Sequence, residues 1–195
     1  MPNSWRRWMS LPRDEAADST IRHWEPLGET SSRGPSGYLR ILTRRYVLPD
    51  GRTSSWDLID GGQSVAVLAL TDDGQVVLVR QFRPGPSVIL DEMPGGHVEP
   101  GDTLAEAARK ELLEETGYAG EIQIISSTWL SASATTRRHV AVARNCRRIG
   151  SPAPVGDEFC EPVLVPLARF RQSLRKGSMT DVDLGYLALD HLNLL

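Results

Sequence analysis

The residues best equipped for chemistry are three clustered glutamates, Glu111, Glu114 and Glu115, and the glycine pair Gly95-Gly96 that precedes them. Carboxylates this close repel one another. They also fall where local signals place the C-terminal end of a helix, whose macrodipole favours cations. Something positive should compensate. Hard oxygen donors with no Cys or His cluster beside them suit Mg²⁺ or Mn²⁺ better than zinc. Glu106, Lys110 and Glu114 also fit an ordinary solvated charge ladder at i,i+4 spacing. That ladder accounts for Glu106, leaves Glu114 open between ligand and ladder, and leaves Glu111 and Glu115 unexplained.

The helix that carries them is marked at both ends. Thr103 and Glu106 form a T-x-x-E capping box and Gly117 supplies a left-handed stop, which predicts a helix over residues 104–116. At about 100° per residue, Leu104, Ala105, Ala108 and Leu112 share the side expected to face a core. Glu106, Arg109, Lys110 and Leu113 lie away from it, and the three glutamates occupy an arc beside the stripe, where Ala107 and Ala108 leave room. Gly95-Gly96 allows backbone to approach an ion or phosphate with no Cβ in the way; a turn-only role is the alternative.

The rest of the chain must hold this stretch in place. At 195 residues and 40% hydrophobic content, it can bury one sizeable core. A net charge of −3 argues against a general nucleic-acid binder. No apolar run reaches the ~18 residues of a membrane span, and the N-terminus lacks an apolar signal-peptide core, so a cytoplasmic protein with no membrane partner is expected. Cys146 and Cys160 stand without C-x-x-C or His spacing and read as small apolar residues.

Residues 1–20 read as an extension without clear period, a flexible arm or a short packed segment, in which Trp5, Arg6, Arg7 and Trp8 suggest a patch docking on the protein itself or on a partner subunit ahead of a nucleic-acid or lipid contact. Residues 21–62 are read as an N-terminal β region, with a hairpin of strands 38–47 and 53–59 about a Pro49-Asp50-Gly51 turn. Residues 63–195 make the main domain. There, 64–70 and 75–82 pair as strands buried on both sides, and 121–130, 138–144 and 162–165 are further strands. Helices are expected over 167–176, stopping at Gly177, and over 181–195, with Leu184, Leu187, Ala188 and His191 in register. Strands interleaved with helices imply an α/β class, layered α/β/α with a mixed sheet.

At residues 95–118 the chain resembles the Nudix box: a glycine, five residues, an acid, seven residues, then Arg-Glu-apolar-x-Glu-Glu-x-Gly. The matching positions are Gly96, Asp102, Lys110, Glu111, Leu112, Glu114, Glu115 and Gly117. Most members have Glu where Asp102 stands and Arg where Lys110 stands, so any pairing of these two lacks a bidentate fork. The wider chain, about residues 24–192, resembles the ADP-ribose and ADP-sugar pyrophosphatase branch through RQFRPG at 80–85, LDEMPGG at 90–96 and GDEFCEPVLVP at 156–166.

The resemblance implies a Nudix-type α/β/α sandwich and Mg²⁺-dependent (or Mn²⁺-dependent) hydrolysis of a nucleoside-diphosphate derivative, best ADP-ribose or another ADP-sugar, to AMP and a sugar phosphate. It implies metal ligation by Glu111 and Glu115, with Glu114 and the Gly95 carbonyl contributing. Arg83 is then a phosphate clamp, Glu92 a contact to substrate or metal (or a structural cap of its loop), and Trp56 a base-stacking aromatic or a subunit contact. Water activation falls to an acid among Asp157, Glu158 and Glu161, with Glu158 favoured by motif; some bacterial members place that acid at the position of Gly156. Homodimers that exchange N-terminal strands are common in the branch. The 131–136 loop, SASATT, lacks the usual Pro-Gly, which leaves the sugar open. His97 and His139 have no second ligand in range. Other readings are a non-catalytic nucleotide sensor, or an enzyme acting on nucleoside triphosphates, CoA or another dinucleotide.

Overall fold

The computed structural model describes residues 21–154 and 159–195. In chain order they form β1 (Glu25–Arg33), β2 (Arg40–Val47), β3 (Thr53–Ile59), β4 (Gln63–Thr71), β5 (Gln75–Arg83), β6 (Val88–Glu92), β7 (Gly95–His97), α1 (Leu104–Thr116), β8 (Tyr118–Trp129), β9 (Arg137–Arg148), β10 (Cys160–Pro166), α2 (Leu167–Lys176) and α3 (Val182–His191).

Seven strands build the central sheet, in the order β10-β5-β4-β9-β8 with β6 on β5 and β7 on β4. β4 and β9 run parallel and the other pairs antiparallel, so the sheet is mixed. Alternation along β4 divides its side chains between two cores. Val65, Val67 and Ala69 pack with Ala107, Ala108 and Leu112 of α1. Ala66 and Leu68 pack on the opposite side with Phe170 and Leu174 of α2 and Leu184, Ala188 and Leu189 of α3. The result is the expected α/β/α sandwich, and the unbroken apolar run of β4 is explained by burial on both sides.

One irregularity prepares the site. β4 and β5 are paired only at Ala69↔Val77 and Leu70↔Val76; beyond that they part, and β7 takes the edge of β4 while β6 takes that of β5. Opened backbone groups need partners, and the Val67 N–H finds one in the Pro94 carbonyl at 2.9 Å. The glycine pair lies in this split. A Cβ at Gly95 would overlap the Val65 carbonyl and stand 2.8 Å from Ala66 Cα, so only glycine fits.

β1, β2 and β3 form a separate antiparallel sheet. The 38–47 strand begins at Arg40, and β1 lies within the region read as β but was not delimited as a strand: EPLGETSSR has no apolar alternation, and all nine of its residues are exposed. The sheet is sutured to the central domain through the 131–136 loop. The Ile59 N–H donates to the Ser133 carbonyl (2.9 Å), the Thr135 N–H to the Ile59 carbonyl (2.9 Å) and the Thr135 hydroxyl to Asp60 (2.6 Å).

α2 has the expected bounds and stops at left-handed Gly177 (φ 64°). α3 is shorter than expected, and Leu184, Gly185, Ala188 and Leu189 form its buried stripe while His191 is exposed. No helix among the described residues is long and apolar enough to cross a membrane.

Candidate active site

α1 has the predicted bounds and caps. The Glu106 N–H donates to the Thr103 hydroxyl (3.2 Å), the Thr103 N–H donates back to Glu106 (2.8 Å), and Gly117 is left-handed at φ 73°. Its buried residues, however, are Ala107, Ala108, Leu112, Glu115 and Thr116, so the helix is turned relative to the expected stripe and Leu104 and Ala105 sit at the rim. The cause is Glu115. Its carboxylate, only 4% exposed as a residue, accepts the Gly95 N–H at 2.7 Å and is drawn inward rather than left to solvent.

Glu111 packs on the second glycine. A Cβ at Gly96 would overlap the Glu111 carboxylate, with its Cδ at 2.6 Å and Oε2 at 2.8 Å. Gly95-Gly96 and the pair Glu111/Glu115 are therefore one interlocked unit. Glu114 is half-buried, and its carbonyl accepts the Ala153 N–H at 2.8 Å. No basic residue occupies the last turn of α1.

Lys110 donates to Glu99 at 2.7 Å rather than to Asp102, and this bond is the leading reason its pKa is raised. The hydrogen-bonded partner of Lys110 thus comes from the preceding loop, with Asp102 adding only its nearby charge.

Arg83 reaches this surface along β5. Val77 belongs to the core under α1, and alternation puts Val79, Gln81 and Arg83 on the same side. Gln81 is in register with Cys160, whose Sγ lies 3.7 Å from the Glu115 carbonyl. The Gln81 Nε2 is buried and has no hydrogen-bond partner among the described residues. Such a donor costs about 1–3 kcal/mol and marks a place where a water, ion or substrate oxygen is wanted. The Arg83 Nε donates to Glu92, while Nη1 and Nη2 make no hydrogen bond among the described residues.

Glu92 is fully buried, so its carboxylate is turned inward onto Arg83 and onto Thr180, and neither oxygen faces solvent. Of the loop acids, Asp157 and Glu158 lie outside the described residues. Glu161 is paired with Arg80 (3.4 Å), which also binds Asp91; both lie on the side of the sheet away from α1.

Trp56 is half-exposed on β3, with its ring 5.6 Å from that of Trp24, which in turn packs edge-on to Tyr46 at 5.7 Å. Trp24 was missed by sequence reasoning; its proximity to Trp56 depends on β1 and β2 lying together, for which no local pattern exists. His139 is buried beside Gln63 (2.9 Å), and burial, then Arg137, hold its pKa below the usual histidine range. Burial pushes the Cys146 thiol up to about 11, in keeping with a packing role.

Among the described residues, no three acidic, His or Cys side chains converge closely enough to hold a metal by themselves. The donor set fits an ion of the Mg²⁺ kind all the same. Such ions take one or two carboxylates and complete their shell with water and substrate phosphate rather than with an all-protein cage. A surface hollow of about 680 Å³ lies by Asp72, Glu121, Asn145 and Arg147, and none of the residues above lines it.

A NUDIX domain model matches residues 60–181. The chain is 31% identical over 150 residues to the ADP-ribose pyrophosphatase of Bacillus subtilis (strain 168), covering 75% of this chain and 80% of that one. It is 30% identical over 172 residues to the ADP-sugar pyrophosphatase of Mus musculus, covering 79% and 78%. Its fold matches the crystal structure of an ADP compounds hydrolase with a TM-score of 0.74 at 18% identity, over 91% of this chain and all of the other.

Proposed function

The chain belongs to the Nudix family of hydrolases, and on that premise we propose that it cleaves the pyrophosphate bond of a nucleoside-diphosphate sugar, ADP-ribose or another ADP-sugar, giving AMP and a sugar phosphate. The observation that carries the reading is the interlock of Gly95-Gly96 with Glu111 and Glu115: a backbone stripped of Cβ atoms held against two carboxylates of a helix whose last turn carries no basic residue. Relatives named for ADP-ribose and ADP-sugar pyrophosphatase activity support the substrate class.

In this proposal Glu111, Glu115 and the Gly95 carbonyl hold Mg²⁺ (or Mn²⁺), with Glu114 beside them. When bound, a divalent ion neutralises charge on the diphosphate and acidifies a coordinated water. The chain's own groups do the rest. Arg83, its Nε fixed by Glu92, offers its two terminal nitrogens to phosphate oxygens. Glu158 takes the proton from the attacking water, and Trp56 stacks on the base.

A homodimer completes the proposal. Trp24, Leu27, Tyr38, Leu39 and Trp56 are exposed on or beside the three-stranded sheet, and a second copy would cover them. The chemistry is tested by incubating the protein with ADP-ribose and Mg²⁺ and measuring AMP. Turnover of a nucleoside triphosphate or CoA in its place would move the substrate; binding without turnover would make the protein a sensor.

A further inference from the structure

Thr180 lies in the connection between α2 and α3, outside every motif read from the sequence, yet it is joined to the proposed phosphate clamp through a single buried carboxylate. One oxygen of Glu92 accepts both the Thr180 N–H (2.7 Å) and the Thr180 hydroxyl (2.5 Å). The other accepts the Arg83 Nε. A fully buried carboxylate is tolerated only with its lone pairs engaged, and these three donors are the ones that engage it.

The segment is also anchored from the opposite side. Arg138 of β9, almost fully buried, binds Asp183 and stands 3.3 Å from Asp181, and Asp183 accepts the Thr128 hydroxyl at 3.3 Å. Asp181, at the N-cap position of α3, makes no capping bond. Residues 180–183 thus form a strap tied to β9 at one end and to β6 at the other.

From this we infer that Thr180 is a positioning residue for Arg83: it fixes the rotamer of Glu92, which holds the guanidinium by Nε and leaves Nη1 and Nη2 aimed at a diphosphate. The inference rests on the proposed function, in which Arg83 binds phosphate. A merely structural threonine would satisfy Glu92 without affecting anion binding. A positioning threonine couples to Arg83 specifically.

The test is a double-mutant cycle on Thr180 and Arg83, read as affinity for inorganic pyrophosphate by calorimetry in the presence of Mg²⁺. AMP release from ADP-ribose is measured in parallel. Thr180→Val keeps the shape and the backbone N–H but removes the hydroxyl. It is expected to weaken pyrophosphate binding by about tenfold, the scale of one hydrogen bond to a charged group. Thr180→Ser should restore the affinity, and in an Arg83→Ala background Thr180→Val should change it by less than about twofold. Thr180→Ala serves if the valine variant does not fold.

Additive effects of the two substitutions, an unchanged affinity in Thr180→Val, or no pyrophosphate binding by the wild-type protein would overturn the inference. Failure of the functional reading looks different: wild-type protein that binds pyrophosphate with the expected coupling yet releases no AMP.

Discussion

The two sheets of this molecule answer to different physics. In the central sheet, β4 has Val67, Leu68 and Ala69 with no exposure, and each side chain is claimed by one of two helical layers. In the three-stranded sheet only Leu42 is buried among the hydrophobic residues, and Trp56 on β3 and Tyr38 just before β2 are exposed. The first region is stabilised from within the chain, whereas the second leaves apolar surface uncovered. Chemistry that needs fixed geometry is accordingly assigned to the first, and base recognition that tolerates adjustment to the second.

Substitutions can break or sharpen this contrast, and the largest effect is expected in the central domain. Glu115→Gln should lower kcat by about 10²–10⁴-fold, the range over which metal and acid–base groups act, while circular dichroism stays unchanged because the amide oxygen can still accept the Gly95 N–H. Near wild-type turnover would remove Glu115 from the metal site.

Gly96→Ala comes next. The new methyl group must displace the Glu111 carboxylate, so activity should fall by roughly 10²-fold, as for a misplacement of about 1 Å, with a smaller change in thermal midpoint. An alanine variant with normal kcat would mean that the interlock is packing alone.

In the outer sheet, Trp56→Ala should raise KM for adenine substrates by about fivefold to tenfold, the worth of one aromatic contact, and leave kcat near wild type. Light scattering on the same variant separates the two roles of the residue: an unchanged KM with a shift to monomer would assign Trp56 to the subunit contact.

The smallest effect is one of pH. Burial raises the Asp181 pKa against the pull of Arg138. A carboxyl whose folded pKa is raised adds stability while protonated, below its ordinary value, and loses that contribution as pH rises through the folded value. Asp181→Asn should therefore match or exceed wild-type stability at pH 7, by no more than about 1 kcal/mol, with the difference shrinking towards about pH 4. Urea unfolding at the two pH values measures it; an advantage that grows in acid would contradict the assignment.

How much could be read from the chain beforehand follows the same division. α1 was legible to the residue because its box, Thr103 with Glu106, and its stop, Gly117, are local. β4 and β5 were legible because burial on both sides leaves an unbroken apolar run. β1 was not, since an exposed strand needs no pattern. Nor was the inward turn of Glu115, because a hydropathy count sends every carboxylate to solvent while the Gly95 N–H recruits this one. The contacts of Glu92 with Thr180 and of Lys110 with Glu99 are set by tertiary packing, and neither carries a signal in its own neighbourhood.

The central claim is that the Gly95-Gly96 and Glu111/Glu115 unit hydrolyses a diphosphate. Its most direct test is AMP release from ADP-ribose, with and without Mg²⁺, by wild-type protein and by Glu115→Gln side by side. Mg²⁺-dependent release by the wild type, abolished in the variant, is the predicted result. Release that is indifferent to both the metal and Glu115, or no release by any form while ADP-ribose binds, would contradict it.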